Sequence, residues 1–161
     1  MEGSCKYNTF FCVSRQEVFM SYSVHITRRG QWSEQGGPDI TLDEWVTLVQ
    51  SDPDMRLGGS RQWKDDHGKK MSDAPQGLAS WQAYSRNQSG GQPVWFEYVS
   101  GNVQVINPDQ EVMGKMWQLA QKLGARIQGD DGACFDAQGN EIPPDSTTPT
   151  KPWWKFWQFD D

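Results

Sequence analysis

Two histidines, His25 and His67, three cysteines, Cys5, Cys12 and Cys134, and the carboxylates Asp130, Asp131, Asp136 and Glu141 are the residues of this 161-residue sequence best suited to chemistry. A nucleophilic site needs a base beside its nucleophile and a third group to orient that base. His25 falls on the polar side of an alternating strand pattern, His67 sits in a charged stretch, and Cys134 lies in a short apolar run that suits a small buried hydrophobe. Each reads first as an ordinary hydrogen-bonded, solvated or packed residue. The carboxylates could hold a hard cation or hydrolyse a sugar. Their spacing does not match an EF-hand loop, however, and Asp131-Gly132 and the segment 136–139 are residues that turns demand for steric reasons. Cys5 and Cys12 are too far apart for a zinc knuckle, so reduced thiols are expected, with an interchain disulfide as the alternative. The glycine pairs at 36–37, 58–59 and 90–91 lack the lysine and the helix start of a phosphate loop. No catalytic residue, metal site or cofactor is therefore expected.

What remains is a chemistry of contact. Of the nine tryptophans, Trp45 falls on the inward face of a helix, and one of Trp95 and Phe96 must point into the core because alternate strand residues face opposite ways. Trp32, Trp63, Trp81 and Trp117 are harder to place inside. Trp117 borders an apolar helical stripe and either widens it or faces out, and exposed aromatics are enriched at interface hot spots. The stretch from Trp153 to Phe159 holds five aromatics within seven residues. Three destinations suit it: the domain's own sheet, a partner or second copy in a homodimer, and a membrane surface. The last is disfavoured, because Lys151 and Lys155 are its only cations and Asp160-Asp161 repels anionic lipid.

The elements that position these residues follow from period and caps. Tyr22, Val24 and Ile26 alternate with Ser23, His25 and Thr27, which predicts a strand within 21–28. Thr41 and Glu44 form a capping box, with Ile40 and Trp45 as its hydrophobic staple, so a helix opens there and ends at Asp52-Pro53. Residues 56–77 read as an irregular excursion or a weak hairpin. A strand is expected over 78–84, a turn over 87–92, and a hairpin over 94–99 and 102–106. Asn107 as N-cap and Pro108 at the first helical position open a second helix, whose stripe of Val112, Met116, Leu119, Ala120 and Leu123 stops at Gly124. A last short hairpin, 125–128 with 133–135, turns through Asp130-Asp131-Gly132. The order predicts an α+β fold: an antiparallel sheet of about five to six strands with two helices packed on one face.

Residues 20–142 are expected to form this single domain. Residues 1–19 show neither period and read as a disordered leader, with natural translation starting at Met20, since Gln16-Glu17-Val18 can be encoded as CAG GAG GTN, a purine-rich ribosome-binding sequence. Residues 143–161 read as a Pro-rich linker and the aromatic tail. A net charge of −6 argues against phosphate-driven binding of nucleic acid, which needs clustered Lys and Arg, and fits a basic partner better. No apolar run is long enough to span a bilayer and the N-terminus lacks a secretory pattern, so a cytoplasmic protein is expected.

The strings Ile26-Thr27-Arg28, Trp32, Ile40 to Trp45, Trp95-Phe96, Asn107-Pro108-Asp109 and Gln128-Gly129-Asp130-Asp131-Gly132 together resemble a family of small bacterial cytoplasmic proteins, some of which look like immunity proteins of secreted antibacterial toxins. The resemblance covers about Met20 to Ile142 and implies a non-enzymatic protein that occludes the active site of a cognate toxin, such as a nuclease. Asp130, Asp131, Asp136 and Trp117 are the expected partner-binding residues: acids to face a basic cleft, and an aromatic anchor. Two other classes stay open, a tryptophan platform for sugar rings and a small enzyme that gathers His25 or Cys134 with the carboxylates.

Overall fold

Thr41 opens the first helix as its sequence dictates. Its Oγ1 accepts from the Glu44 amide at 3.2 Å, and the Thr41 amide donates to Glu44 Oε2 at 2.9 Å, which satisfies two otherwise orphaned donors. Helix α1 runs Leu42–Ser51 and ends at Asp52, ahead of Pro53. The staple residues Ile40 and Trp45 are both fully buried. In the computed structural model the described residues are 21–143. The expected leader and start at Met20 lie outside them, as do the tail and all of the linker beyond Pro143.

The second helix begins differently from its sequence reading. Asn107 adopts a left-handed backbone, φ 48°, and Asp109 is the N-cap, its carboxylate accepting from the Val112 amide at 2.9 Å. Asn tolerates the left-handed region and Asp caps as well as Asn does, so the start moves by two residues. Asn107 instead clamps the start of the first strand: its Oδ1 accepts from the Tyr22 amide and its own amide donates to the Tyr22 carbonyl. Helix α2 spans Gln110–Leu123 and closes on Gly124, φ 60°.

The strands are β1 Ser23–Thr27, β2 Met55–Leu57, β3 Arg61–Lys64, β4 Lys70–Asp73, β5 Ala79–Trp81, β6 Val94–Val99, β7 Asn102–Ile106, β8 Arg126–Gly129, β9 Cys134–Phe135 and β10 Glu141–Ile142. Eight form one antiparallel sheet in the order β10-β9-β8-β1-β7-β6-β5-β2, while β3 and β4 pair as a separate ribbon. The expected α+β class holds, with more strands than periodicity reveals. The excess over five to six lies in β2 and β10, which are too short to show a period, and in the ribbon, whose side chains are mostly exposed.

Alternation divides the sheet. Val24, Ile26, Phe96, Val103, Val105 and Ile127 form one core cluster with Trp45 and Val49 of α1 and Val112, Met116 and Leu119 of α2, so both helices cover one face. Of Trp95 and Phe96, it is Phe96 that points into this core. The opposite face carries a polar row set by register: Cys134, Gln128, His25, Gln104 and Glu97 stand in line across β9, β8, β1, β7 and β6.

Candidate functional site

The acidic end of the sheet is built by the β8–β9 turn folding back on β1. Asp130 accepts from the Ser23 amide at 2.7 Å through one oxygen and lies 2.9 Å from His25 Nε2 through the other. Its amide donates to the Ser23 carbonyl. The exposed carboxylate of Asp131 accepts from the Tyr22 hydroxyl and from the Ala133 amide, each at 3.2 Å. Tyr22 is the hub. Burial first, then Asp131, Asp130 and Glu141, push its hydroxyl up to about 12, because ionisation would add a fourth negative charge to the cluster.

His25 is 3% exposed, since the loop after β1 lies over it. Trp32 stacks on the imidazole, ring centroids 3.9 Å apart and 4° from parallel. That loop is pinned to the polar row: the Trp32 amide donates to Gln128 Oε1 at 2.7 Å, and Gln128 Nε2 donates to the Gly132 carbonyl at 2.9 Å. Cys134 is half-buried rather than buried. It stands two strands from His25, about 10 Å by the usual strand spacing, with Gln128 between them. A thiol at that distance has no direct hydrogen bond to the imidazole.

Two open clefts flank the carboxylates. One, of about 390 Å³, is lined by Tyr22, Val24, Met113, Phe135 and Asn140 among others, and the other, of about 360 Å³, by Gln31, Arg126, Gln128, Asp131, Cys134 and Glu141 among others. Among the described residues no group of three or more His, Cys, Asp or Glu side chains is placed to hold a metal ion.

Of the expected contact residues, Asp130 and Asp131 sit side by side at this end. Asp136 belongs to the β9–β10 turn and is spent on it: Oδ1 accepts from the amides of Gln138 and Asn140 at 2.9 Å each, and these bonds, that of Asn140 first, hold its carboxyl below its usual range. Trp117 is half-buried against the core, so it widens the stripe of α2. No hydrogen bond or ring contact ties it to the three aspartates. Sequence reasoning passed over Tyr22 and Trp32 as organisers of this end. Tyr22 reads as one more apolar residue in a strand period, and only the register of β1 against β8 reveals its neighbours.

A further cleft, of about 420 Å³ and lined by Arg56, Ser80, Gln82 and Trp95 among others, lies towards the β2 edge. Among the described residues no helix is long and apolar enough to cross a membrane. Neither a family model, nor a curated protein, nor a solved structure matches the chain.

Proposed function

We propose that this protein is a non-enzymatic binding protein of the immunity type, which neutralises a cognate cytoplasmic toxin by laying the acidic end of its sheet over the toxin's basic active-site cleft. The observation that carries the proposal is preorganisation. Asp131 is exposed yet held by the Tyr22 hydroxyl and the Ala133 amide on a turn stitched to the central strand through Asp130. Charges fixed before encounter lose little freedom on binding, and clustered negative charge steers a basic partner in.

The test is to identify the gene directly upstream, which is expected to encode a toxin domain, and to co-express its product with this chain. Growth rescue and a co-purifying complex are expected, with an association rate that falls with salt and with Asp131→Lys. The absence of both rescue and complex overturns the proposal. A second reading, a module that stacks sugar rings on tryptophan, is favoured by the cleft beside Trp95. It requires tryptophan fluorescence to respond to glycans, which the immunity reading does not.

A further inference from the structure

The ribbon β3–β4 is the part of the molecule that neither the core nor the acidic end explains. Residues 56–73 carry five Lys or Arg against three Asp, in a chain whose net charge is −6. One node fastens the ribbon. The Arg61 guanidinium donates to both oxygens of Asp73 on β4, at 2.7 and 2.8 Å, and to both oxygens of Glu97 on the sheet, at 2.7 and 3.0 Å. Further along the same ribbon face, Trp63 and Met71 stand directly opposite each other, 44% and 37% exposed, with Arg61 over the indole at 5.8 Å. An exposed Trp beside Arg and Met is the composition of an interface anchor.

The other ribbon face adds an independent observation. Lys64 and Lys70 are direct cross-strand partners, and Lys69 adjoins them. Like charges placed directly opposite destabilise a strand pair. Among the described residues no ion pair involves these three lysines. Asp65, the nearest acid in sequence, uses its carboxylate to cap the amides of His67 and Lys69. With Asp65 and Asp66 in the turn between them, three lysines against two aspartates leave the tip weakly positive, so it is a finger with an apolar face and a face of lysines, and it asks for an apolar notch bordered by carboxylates.

The chain itself carries that complement. The cleft between Tyr22, Val24, Met113 and Phe135 is open, and at its edge the Tyr22 hydroxyl donates to Asp131, which together with Glu141 lines the neighbouring cleft. We propose that two copies of this chain associate about a two-fold axis, the ribbon tip of each seated on the acidic end of the other, with Trp63 in the cleft and Lys64 and Lys70 facing Asp131 and Glu141. A two-fold interface repeats each contact twice, so one basic finger and one acidic notch per chain close the assembly at a dimer. The dimer stands independently of the toxin reading, although both use the acidic end and so exclude each other.

Sedimentation equilibrium of the full chain tests this. The expected result is a dimer whose dissociation constant rises about tenfold or more between about 50 mM and about 500 mM salt, as pairing between exposed charges requires. The Lys64→Glu/Lys70→Glu variant and the Asp131→Lys/Glu141→Lys variant are each expected to be folded monomers by circular dichroism. Mixed together, they are expected to form a one-to-one heterodimer, since every contact is then complementary again. A wild-type monomer at low salt, a dimer that survives either variant, or a mixture that stays monomeric overturns the proposal.

Discussion

Replacing Lys115 by Met leaves Asp52 holding a charge with no adequate partner. The two side chains are each 6% exposed and meet at 2.7 Å, where α2 crosses the C-terminal cap of α1. At an effective dielectric of about 20, unit charges at that distance attract by about 6 kcal/mol before desolvation is subtracted. Removing one partner of such a buried pair costs roughly 3–5 kcal/mol, chiefly the penalty of the orphaned ion. Lys122 lies 3.9 Å from the same oxygen but is half exposed, so it recovers only a small part. We therefore expect a loss of about 3 kcal/mol at neutral pH, a large fraction of the ~5–15 kcal/mol that holds a domain folded. Urea unfolding followed by tryptophan fluorescence measures it. Asp52→Asn in the same background removes the charge and keeps an oxygen for the Asp54 amide, which Asp52 Oδ1 accepts at 3.0 Å, so it should restore most of the loss. In the wild type, burial opposes ionisation of Asp52, but Lys115, the Asp54 amide and Lys122 together hold its pKa below 3.8. A lowered carboxyl stabilises the fold above its unfolded value and loses that as pH falls through the folded one. Without Lys115, burial dominates and the folded pKa rises, so the variant's deficit is full at neutral pH and closes as the carboxyl protonates. A loss under about 1 kcal/mol at neutral pH, or no rescue by Asp52→Asn, refutes the reasoning.

Three further outcomes follow from local geometry. Glu44 is drawn down to about 2, first by the fork of hydrogen bonds from Arg28 and then by the Thr41 amide. Its contribution is therefore present above pH 4.5 and lost as pH falls towards 2. Glu44→Gln should lower stability by about 1 kcal/mol at neutral pH, discounted because the pair is solvent-exposed, and the gap in melting temperature to wild type should vanish in acid. Gly77 has φ +79°, and a Cβ there would stand 2.8 Å from Leu42 Cδ1 and 2.9 Å from Tyr98 Cβ. Gly77→Ala should cost about 2 kcal/mol or more in urea melts, against about 1 kcal/mol for Gly36→Ala, whose φ of +76° is similar but whose surroundings are empty. Asp131→Asn should bring the Tyr22 hydroxyl down from about 12 only part of the way, since burial is the largest cause of the shift. Absorbance during alkaline titration reports it, and an unchanged late step would show that Asp131 does not act on Tyr22.

The parts of this fold legible in the sequence are those written within a few residues of each other. The capping box at Thr41, the stop at Gly124 and the hairpin turning through Ser100-Gly101, both at positive φ, each depend on local backbone demands that few side chains meet. The start of α2 was legible only to within two residues, because Asn107, Pro108 and Asp109 offer two acceptable caps in succession. Strands of two to four residues such as β2 and β10 carry no period to read. The acidic end was half legible: the turn Asp130-Asp131-Gly132 is plain, but its union with Tyr22, His25 and Trp32 spans about a hundred positions and exists only through the register of β1 against β8. The finger was legible only as the weak-hairpin alternative over 56–77, without its register. Trp63 and Met71, like Lys64 and Lys70, become neighbours only when the ribbon pairs.

That register also separates two carboxylates which look equivalent in sequence. Asp130 has one oxygen on the Ser23 amide and the other on His25, and the indole nitrogen of Trp32 donates to its carbonyl at 3.4 Å. Removing its carboxylate leaves the β1 amide and the imidazole without their acceptor and loosens the turn, so lost binding in Asp130→Ala would report folding rather than contact. Among the described residues the Asp131 carboxylate hydrogen-bonds only to the Tyr22 hydroxyl and the Ala133 amide, and its side chain remains exposed. Charge reversal there changes the surface potential while the stitching through Asp130 stays in place. If the acidic end is a contact surface, Asp131→Lys weakens association and leaves the unfolding free energy from urea melts within about 0.5 kcal/mol of wild type, the usual range for a surface substitution. Equal losses of binding and of stability would mean that these acids serve the turn alone.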